Sequence, residues 1–166
     1  MTTTAQTWSD TRQHFTVLSD VLGVSMLADE INYRRPNDAT KNTIFGPFHV
    51  DGSPERAMGN TNSLDRKGEL CLFHGPMLDL NGTPVEGTVV DVWSDNEDGF
   101  CDAHQPEMQP QRNNRGDFRT GADERYWFRS VKPISCPILD HEPAAKGLRR
   151  SSSIQGNRCK CTFCEC

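Results

Sequence analysis

The sequence lacks three features, and each absence argues against a class of protein. No uninterrupted apolar stretch is long enough to span a bilayer. Residues 1–10 are polar and contain no apolar signal core. Basic residues are not in excess, because the formal net charge is −5, which argues against binding nucleic acid through a basic surface. We therefore expect a soluble cytoplasmic protein with no membrane or nucleic-acid partner.

The seven cysteines fall into two groups. Three are scattered through the chain, and four crowd its last eight residues: Cys71, Cys101 and Cys136, then Cys159, Cys161, Cys164 and Cys166. Without a secretory signal, reduced thiols are the default, and scattered cysteines are often small buried residues. The terminal four could bind Zn²⁺ or Cu(I) through thiolates, or they could belong to a tail without a supporting fold.

The N-terminal part shows a helical pattern. Asp10 and Gln13 are spaced like a capping pair. Apolar residues then recur at helical spacing, namely Phe15, Leu18, Leu22 and Met26. This predicts a core-facing helix from about residue 11 to residue 31, disturbed at Gly23. The polar stretch 32–42 is predicted to be a linker.

The stretch from Phe73 to Cys101 predicts strands, with a loop that carries the chemistry. Asn81-Gly82 indicates a type I′ hairpin turn, and residues 85–93 form a strand pattern rich in β-branched residues. The acidic loop 94–99 follows. Functional residues are frequently found on loops held by strands, so we expect the site near the end of this one.

A second hairpin is predicted further along the chain. Residues 118–120 and 126–131 read as two strands joined by a turn at 121–123. The Arg115-Gly116-Asp117 tripeptide is predicted to be another turn. A helical segment followed by hairpins indicates an α+β or mainly β chain with an antiparallel β-sandwich as its main body.

Several motifs resemble those of one enzyme family. The spaced pattern of Gly75, Gly82, Gly87, Val90-Asp91-Val92-Trp93 and Gly99-Phe100 resembles the signature of the intradiol ring-cleavage dioxygenases. The segment Phe45-Gly46-Pro47-Phe48 matches the family's FGPF motif, and YWFRSVKPISCPI, residues 126–138, resembles a family strand and turn. The helical segment 11–32 is similar to that of the hydroxyquinol-type members.

This resemblance implies a domain organisation. We expect a helical dimerisation and linker region at 1–42, with a homodimer formed through the N-terminal helix. An incomplete antiparallel β-sandwich core is expected at 43–138, and an unrelated, disordered, Cys-rich tail at 139–166. The resemblance is expected to end at about Leu139.

The resemblance also implies a site, from which this chain departs. The family binds Fe(III) through two tyrosinates and two histidines. Cys101 and Cys136 stand at the two tyrosine positions, and no histidine follows His141. Thiolates are soft ligands that suit a hard ferric site poorly. Alternatively, Cys101 and Cys136 are simply buried thiols.

The substrate side of the site is expected at Phe45, Gly46, Pro47 and Phe48, which in the family line the aromatic pocket. An apolar loop that fills the core is the alternative for these four residues. His49 beside them is expected to be a structural histidine.

The activity that the resemblance implies is intradiol cleavage of hydroxyquinol- or catechol-type diols. Dioxygen would open the ring to a muconate-type acid, in aromatic catabolism. Because the iron ligands are replaced or absent, we expect this chain to be impaired or inactive. Two alternatives are a non-catalytic remnant that binds a full-length homologue, and a thiolate metal-binding protein.

Overall fold

The structure, a computed structural model, describes residues 14–36, 39–43, 45, 49–122, 125–137, 158–160 and 162–165. Two short helices precede the strands: α1 is His14–Val21 and α2 is Val24–Asn32. The strands are β1 Glu55–Arg56, β2 Leu70–Pro76, β3 Val89–Ser94, β4 Arg115–Arg119, β5 Arg125–Val131, β6 Ser135–Pro137, β7 Arg158–Lys160 and β8 Thr162–Glu165. A 3₁₀ turn occupies Asp102–His104. The described fold is therefore mostly β with few helices.

The break between the two helices lies at the predicted position. Gly23 has φ 72°, a left-handed conformation that glycine adopts at little cost. Of the apolar face predicted to point to the core, Phe15 and Leu22 are exposed, whereas Leu18 and Met26 are half-buried, so that orientation is only partly observed. The other apolar residues of α2, namely Val24, Leu27 and Ile31, are exposed. Asp10 and Gln13, the predicted capping pair, lie outside the described residues. Helices α1 and α2 belong to one compact unit, and strands β1 to β5 with β8 belong to another.

Strands β1 to β5 and β8 of this unit form two sheets. The larger has the strand order β1-β4-β3-β8, and the smaller is the antiparallel pair β2-β5, in register from Leu70 opposite Val131 to Pro76 opposite Arg125. Strand β3 runs antiparallel to both β4 and β8. Strand β1 pairs with β4 in parallel, so the expectation of a purely antiparallel arrangement is wrong at this edge. The chain reaches β4 from β1 by a long connection, which allows a parallel pairing that a tight hairpin does not.

The apolar core of this unit lies where the two sheets meet. Val90, Val92 and Phe118 come from the larger sheet, and Phe128 from the smaller one. The ring of Phe128 stacks on Phe118 at 4.7 Å and on Phe73 at 5.1 Å between centroids. Burying each such ring contributes about 1.5–3 kcal/mol to stability. These aromatic contacts fix β4 and β5 against each other without hydrogen bonds between them.

Both predicted hairpins differ from the observed connections. At Asn81-Gly82 the chain does turn, but only Gly82 has a positive φ, 77°, so the turn is not type I′. The Asp79 carboxylate sets it instead, because it accepts hydrogen bonds from the backbone N–H groups of Asn81 and Thr83, each at 2.8 Å. The other turn was predicted at 121–123, between β4 and β5, and residues 123 and 124 lie outside the described residues. Strands β4 and β5 lie in different sheets.

The end of the chain is partly ordered into strands. Residues of β8 pair with β3, from Asp91 opposite Glu165 to Ser94 opposite Thr162. This pairing satisfies backbone groups of β3 that would otherwise form an open sheet edge. Residues 138–157 lie outside the described part, and the predicted division of the chain into domains stays a prediction.

Candidate functional site

The loop after β3 brings the chain to Cys101 through a tight turn. The Asn96 side-chain oxygen accepts hydrogen bonds from the backbone N–H groups of Asp98 and Phe100, both at 3.0 Å. Gly99 has φ 83°, which allows its N–H to donate to the Asn96 carbonyl. The side chain of Gln109 donates to the Phe100 carbonyl at 3.0 Å. These hydrogen bonds fix the position of the backbone that leads into Cys101.

The Cys101 side chain is buried and lies next to a histidine. It is 4 % exposed, and its Sγ lies 3.4 Å from Nδ1 of His104. Burial raises the pKa of the Cys101 thiol, and the backbone N–H of His104 offsets only part of this. Burial, with a smaller contribution from Arg115, lowers the pKa of His104. The pair is therefore a neutral thiol beside a neutral imidazole at pH 7.

A buried ion pair lies close to these two residues, since the charge of Arg115 acts to lower the pKa of both Cys101 and His104. Nε of Arg115 donates to Oδ1 of Asp102 at 2.7 Å, and the two side chains are only 1 % and 8 % exposed. Oδ2 of Asp102 accepts the backbone N–H of Arg112 at 2.9 Å. Arg115 begins β4 and stands opposite Trp93. The turn predicted for Arg115-Gly116-Asp117 is therefore wrong, since these residues form a strand.

A second carboxyl group is buried near the same arginine. Asp95 is 3 % exposed. Burial raises the pKa of Asp95 to about 7, although the charge of Arg115 acts in the opposite direction. A carboxyl with such a pKa can hold or release a proton near neutrality.

The sequence predicted the loop and Cys101 but missed the residues around it. His104, Asp102 and Arg115 were not singled out as a site. The Cys-x-x-His spacing of Cys101 and His104 is a local signal that pointed to one of these contacts. No local signal pairs Asp102 with Arg115, because they are thirteen positions apart in the sequence.

The other predicted site residues are only partly described. Phe45 is exposed, and its ring stacks on His49 at 4.4 Å between centroids. Gly46, Pro47 and Phe48 lie outside the described residues. Cys136 lies in β6, for which the structure describes the backbone alone. A shared site of Cys101 and Cys136, and a substrate pocket at Phe45–Phe48, stay predictions.

The described donor set around Cys101 does not fit ferric iron. Within the described ranges, no three His, Cys, Asp or Glu side chains are grouped so that they could hold a metal ion. Cys101 offers a soft sulfur, whereas hard ferric iron is better matched by oxygen ligands. The carboxylate of Asp102 is already engaged by Arg115 and by the Arg112 backbone.

Two family models match the chain. One, described as dioxygenase, matches residues 44–158, and the other, described as catechol dioxygenase N terminus, matches residues 1–40. The first match continues past residue 138, where the sequence prediction ended the sandwich core.

Neither described helix is long and apolar enough to cross a membrane.

Named relatives agree with the family models. A hydroxyquinol 1,2-dioxygenase of Rhizobium sp. is 48 % identical over 149 residues, which cover 90 % of this chain and 50 % of the relative. A 6-chlorohydroxyquinol 1,2-dioxygenase of Cupriavidus pinatubonensis is 39 % identical and is covered to 54 %. The solved hydroxyquinol 1,2-dioxygenase of Pseudomonas putida superposes with a TM-score of 0.84 at 37 % identity, covering 95 % of this chain and 54 % of that one.

The chain thus belongs to the intradiol ring-cleavage dioxygenase family. Within that family it resembles the hydroxyquinol 1,2-dioxygenases. It spans about half the length of the curated relatives that it matches.

Proposed function

We propose that this protein is related in function to the enzymes that open hydroxyquinol-type rings between two hydroxyl-bearing carbons, and that this chain has little or none of that activity. In the proposed reaction both atoms of dioxygen enter the product, a ring-opened muconate-type dicarboxylic acid. The substrate class is supported by the relatives, several of which are named hydroxyquinol 1,2-dioxygenases.

The observation that carries the proposed loss of activity is the state of Cys101. It stands at a family ligand position, but it offers a sulfur in place of a phenolate oxygen, and its side chain is buried. A soft sulfur ligand is a poor substitute for a tyrosinate on Fe(III).

A product assay tests this proposal. Purified protein is incubated with ferric iron, dioxygen and benzene-1,2,4-triol, and the ring-opened acid is measured by mass spectrometry. Product detection is needed because the triol also consumes dioxygen by itself. We expect no acid above an iron-only control, while the Rhizobium relative, treated in the same way, serves as the positive control.

Turnover by the wild-type chain would contradict the proposal. If a Cys101→Ser variant lost such turnover, Cys101 would be identified as a working ligand. If Cys101→Ser retained it, another group would hold the iron.

A non-catalytic role is supported by the exposed face of α2. Leu27 and Ile31 are both more than half exposed, and such a face suits a helix that packs on a second subunit. We propose that this face of α2 forms the contact between two copies of the chain, or between this chain and a full-length homologue. We expect the wild-type chain to co-purify with an active homologue and a Leu27→Asp variant to fail to do so.

The remaining parts of the proposal concern fold and location. The stacking of Phe118 on Phe128 between the two sheets supports an incomplete β-sandwich. The free thiols of Cys71 and Cys101 suit the reducing cytoplasm.

A further inference from the structure

The turn after β2 contains the single Asn-Gly pair of the chain, Asn81-Gly82. Both residues are exposed, and a Cβ placed on Gly82 would meet nothing within 4 Å. Asparagine is a thermolabile residue, because its side-chain amide can react with the backbone nitrogen of the next residue. A glycine in that next position favours the reaction, since it has no Cβ to obstruct the approach of its nitrogen.

Asp79 engages both groups that would react. Its side-chain oxygens accept the backbone N–H of Asn81 at 2.8 Å and the side-chain Nδ2 of Asn81 at 3.4 Å. Its backbone carbonyl accepts the N–H of Gly82 at 3.0 Å. One residue therefore holds the nitrogen that would attack and the amide that would be attacked.

The Asp79 side chain is charged under the conditions in which the amide could react. The backbone N–H groups of Thr83 and Asn81 lower the pKa of Asp79 below its usual value. The carboxylate therefore accepts these hydrogen bonds at the neutral and alkaline pH values at which a backbone amide loses its proton most readily. The Gly82 N–H must leave the Asp79 carbonyl before its nitrogen can attack, so the turn has to open first.

The rest of the turn restrains this opening weakly. Its stem contains an isolated bridge between Leu78 and Pro84, and the backbone N–H of Val85 donates to the Met77 carbonyl at 2.9 Å. Segments with few buried apolar contacts open locally at a small cost in free energy. The hydrogen bonds to Asp79 are therefore the main barrier to opening.

We propose that Asn81 deamidates spontaneously in this chain and that Asp79 sets the rate by holding the turn closed. In the open turn the Gly82 nitrogen loses its proton and forms a bond to Cγ of Asn81. The bond between Cγ and Nδ2 breaks, and Nδ2 leaves as ammonia after taking up a proton. Water then opens the cyclic imide at either of its carbonyls, which gives aspartate or isoaspartate at position 81.

The products loosen the turn in which they form. An oxygen replaces the Nδ2 group that donated to Asp79, so a hydrogen bond gives way to repulsion between two carboxylates. Isoaspartate also adds a carbon atom to the main chain, which changes the spacing of the N–H groups that Asn81 and Thr83 direct at Asp79. This modification does not depend on catalytic activity or on the helix contact proposed above.

Peptide mapping by mass spectrometry tests the proposal during incubation of the folded chain at mildly alkaline pH. We expect Asn81 to gain the mass of an amide-to-acid conversion before any other asparagine, and more slowly than in urea. Asp79→Ala should raise the rate about two- to tenfold, the range that corresponds to the loss of one hydrogen bond. Glu86→Ala is the matched control, since it removes an exposed carboxylate after the turn, and it should leave the rate unchanged.

Two further variants separate the hydrogen bonds from a general loss of structure. Asp79→Asn keeps one acceptor oxygen and should react at a rate between those of the wild type and Asp79→Ala. Gly82→Ala should slow the reaction, because its Cβ obstructs the attacking nitrogen. A wild-type chain that reacts first at another asparagine, or at none, overturns the proposal, and so does an Asp79→Ala variant that reacts no faster than Glu86→Ala. Circular dichroism shows that each variant remains folded.

Discussion

Ionisation of Asp95 makes the stability of the folded chain depend on pH. Its pKa of about 7 in the folded chain lies above the usual aspartate value, so the folded state holds this proton more tightly than the unfolded state does. The stability gained from Asp95 is therefore complete below about pH 4 and is lost as the pH rises through 7.

We predict that the wild-type chain loses about 1.4 kcal/mol of unfolding free energy between pH 6 and pH 8 through Asp95, since ionisation of the folded form changes about tenfold. In an Asp95→Asn variant the unfolding free energy should not decrease by this amount between pH 6 and pH 8, because the asparagine side chain cannot ionise. Urea unfolding of both proteins at the two pH values measures the difference. Equal pH dependence in both would show that the Asp95 carboxyl is not desolvated.

The Asp102–Arg115 pair leads to a prediction about buried charge. Arg115→Met leaves the Asp102 carboxylate buried without its cation and should cost about 3–5 kcal/mol. The double variant Asp102→Asn with Arg115→Met removes both charges and should cost clearly less. Urea unfolding of both variants and the wild type gives the comparison. A double variant as unstable as Arg115→Met would show that the two charges are not coupled.

Single residues also show how far the sequence alone could be read. Cys101 was predicted as a site residue because a long spaced motif ends there. Its contact with His104 was missed, although the two are close in sequence, since a thiol and an imidazole three residues apart face each other only in a local turn. The Asp102–Arg115 pair could not be predicted, because it depends on how β4 lies beside the loop.

At the scale of elements, glycine positions allow a matched test. Gly59 and Gly82 both have positive φ, 84° and 77°. A Cβ at Gly59 would collide with the Trp127 indole, whereas a Cβ at Gly82 would meet nothing within 4 Å. We predict that Gly82→Ala costs about 1 kcal/mol from backbone strain and that Gly59→Ala costs about 1–3 kcal/mol more.

Urea unfolding compares these two alanine variants directly. Truncating the indole with Trp127→Ala should narrow the gap between them. Equal costs for the two alanine variants would mean that the indole of β5 does not pack over Gly59.

Elements were predicted better than their partners. The helical segment, its break at Gly23 and the strand leading to Trp93 all follow from local patterns. The pairing did not follow, because sequence neighbours were assumed to be sheet neighbours. Strands β4 and β5 are consecutive, yet the stacking of Phe118 on Phe128 holds them in different sheets. Which strands pair with each other therefore depends on the burial of aromatic rings from distant parts of the chain.

At the scale of the whole molecule, the family was predicted from spaced glycines and a strand motif, and the family models and the solved relative confirm it. The order of the predicted elements, without the family motifs, indicated only a mainly β chain with some helix. The parallel strand β1 was not predicted, because two residues are too few to leave a periodic pattern. The pairing of β8 on β3 was also missed, since the tail has no hydrophobic periodicity.

The register of the smaller sheet has a consequence during synthesis. The partners of β2 lie about fifty to sixty residues later in the chain, in β5. At translation rates of about 5–20 residues per second, β2 leaves the ribosome roughly 3–12 s before β5 can reach it. For that interval both of its edges are open. On polysomes, where neighbouring nascent chains are close together, this strand could pair with another chain before β5 is made, and a chaperone would prevent that pairing.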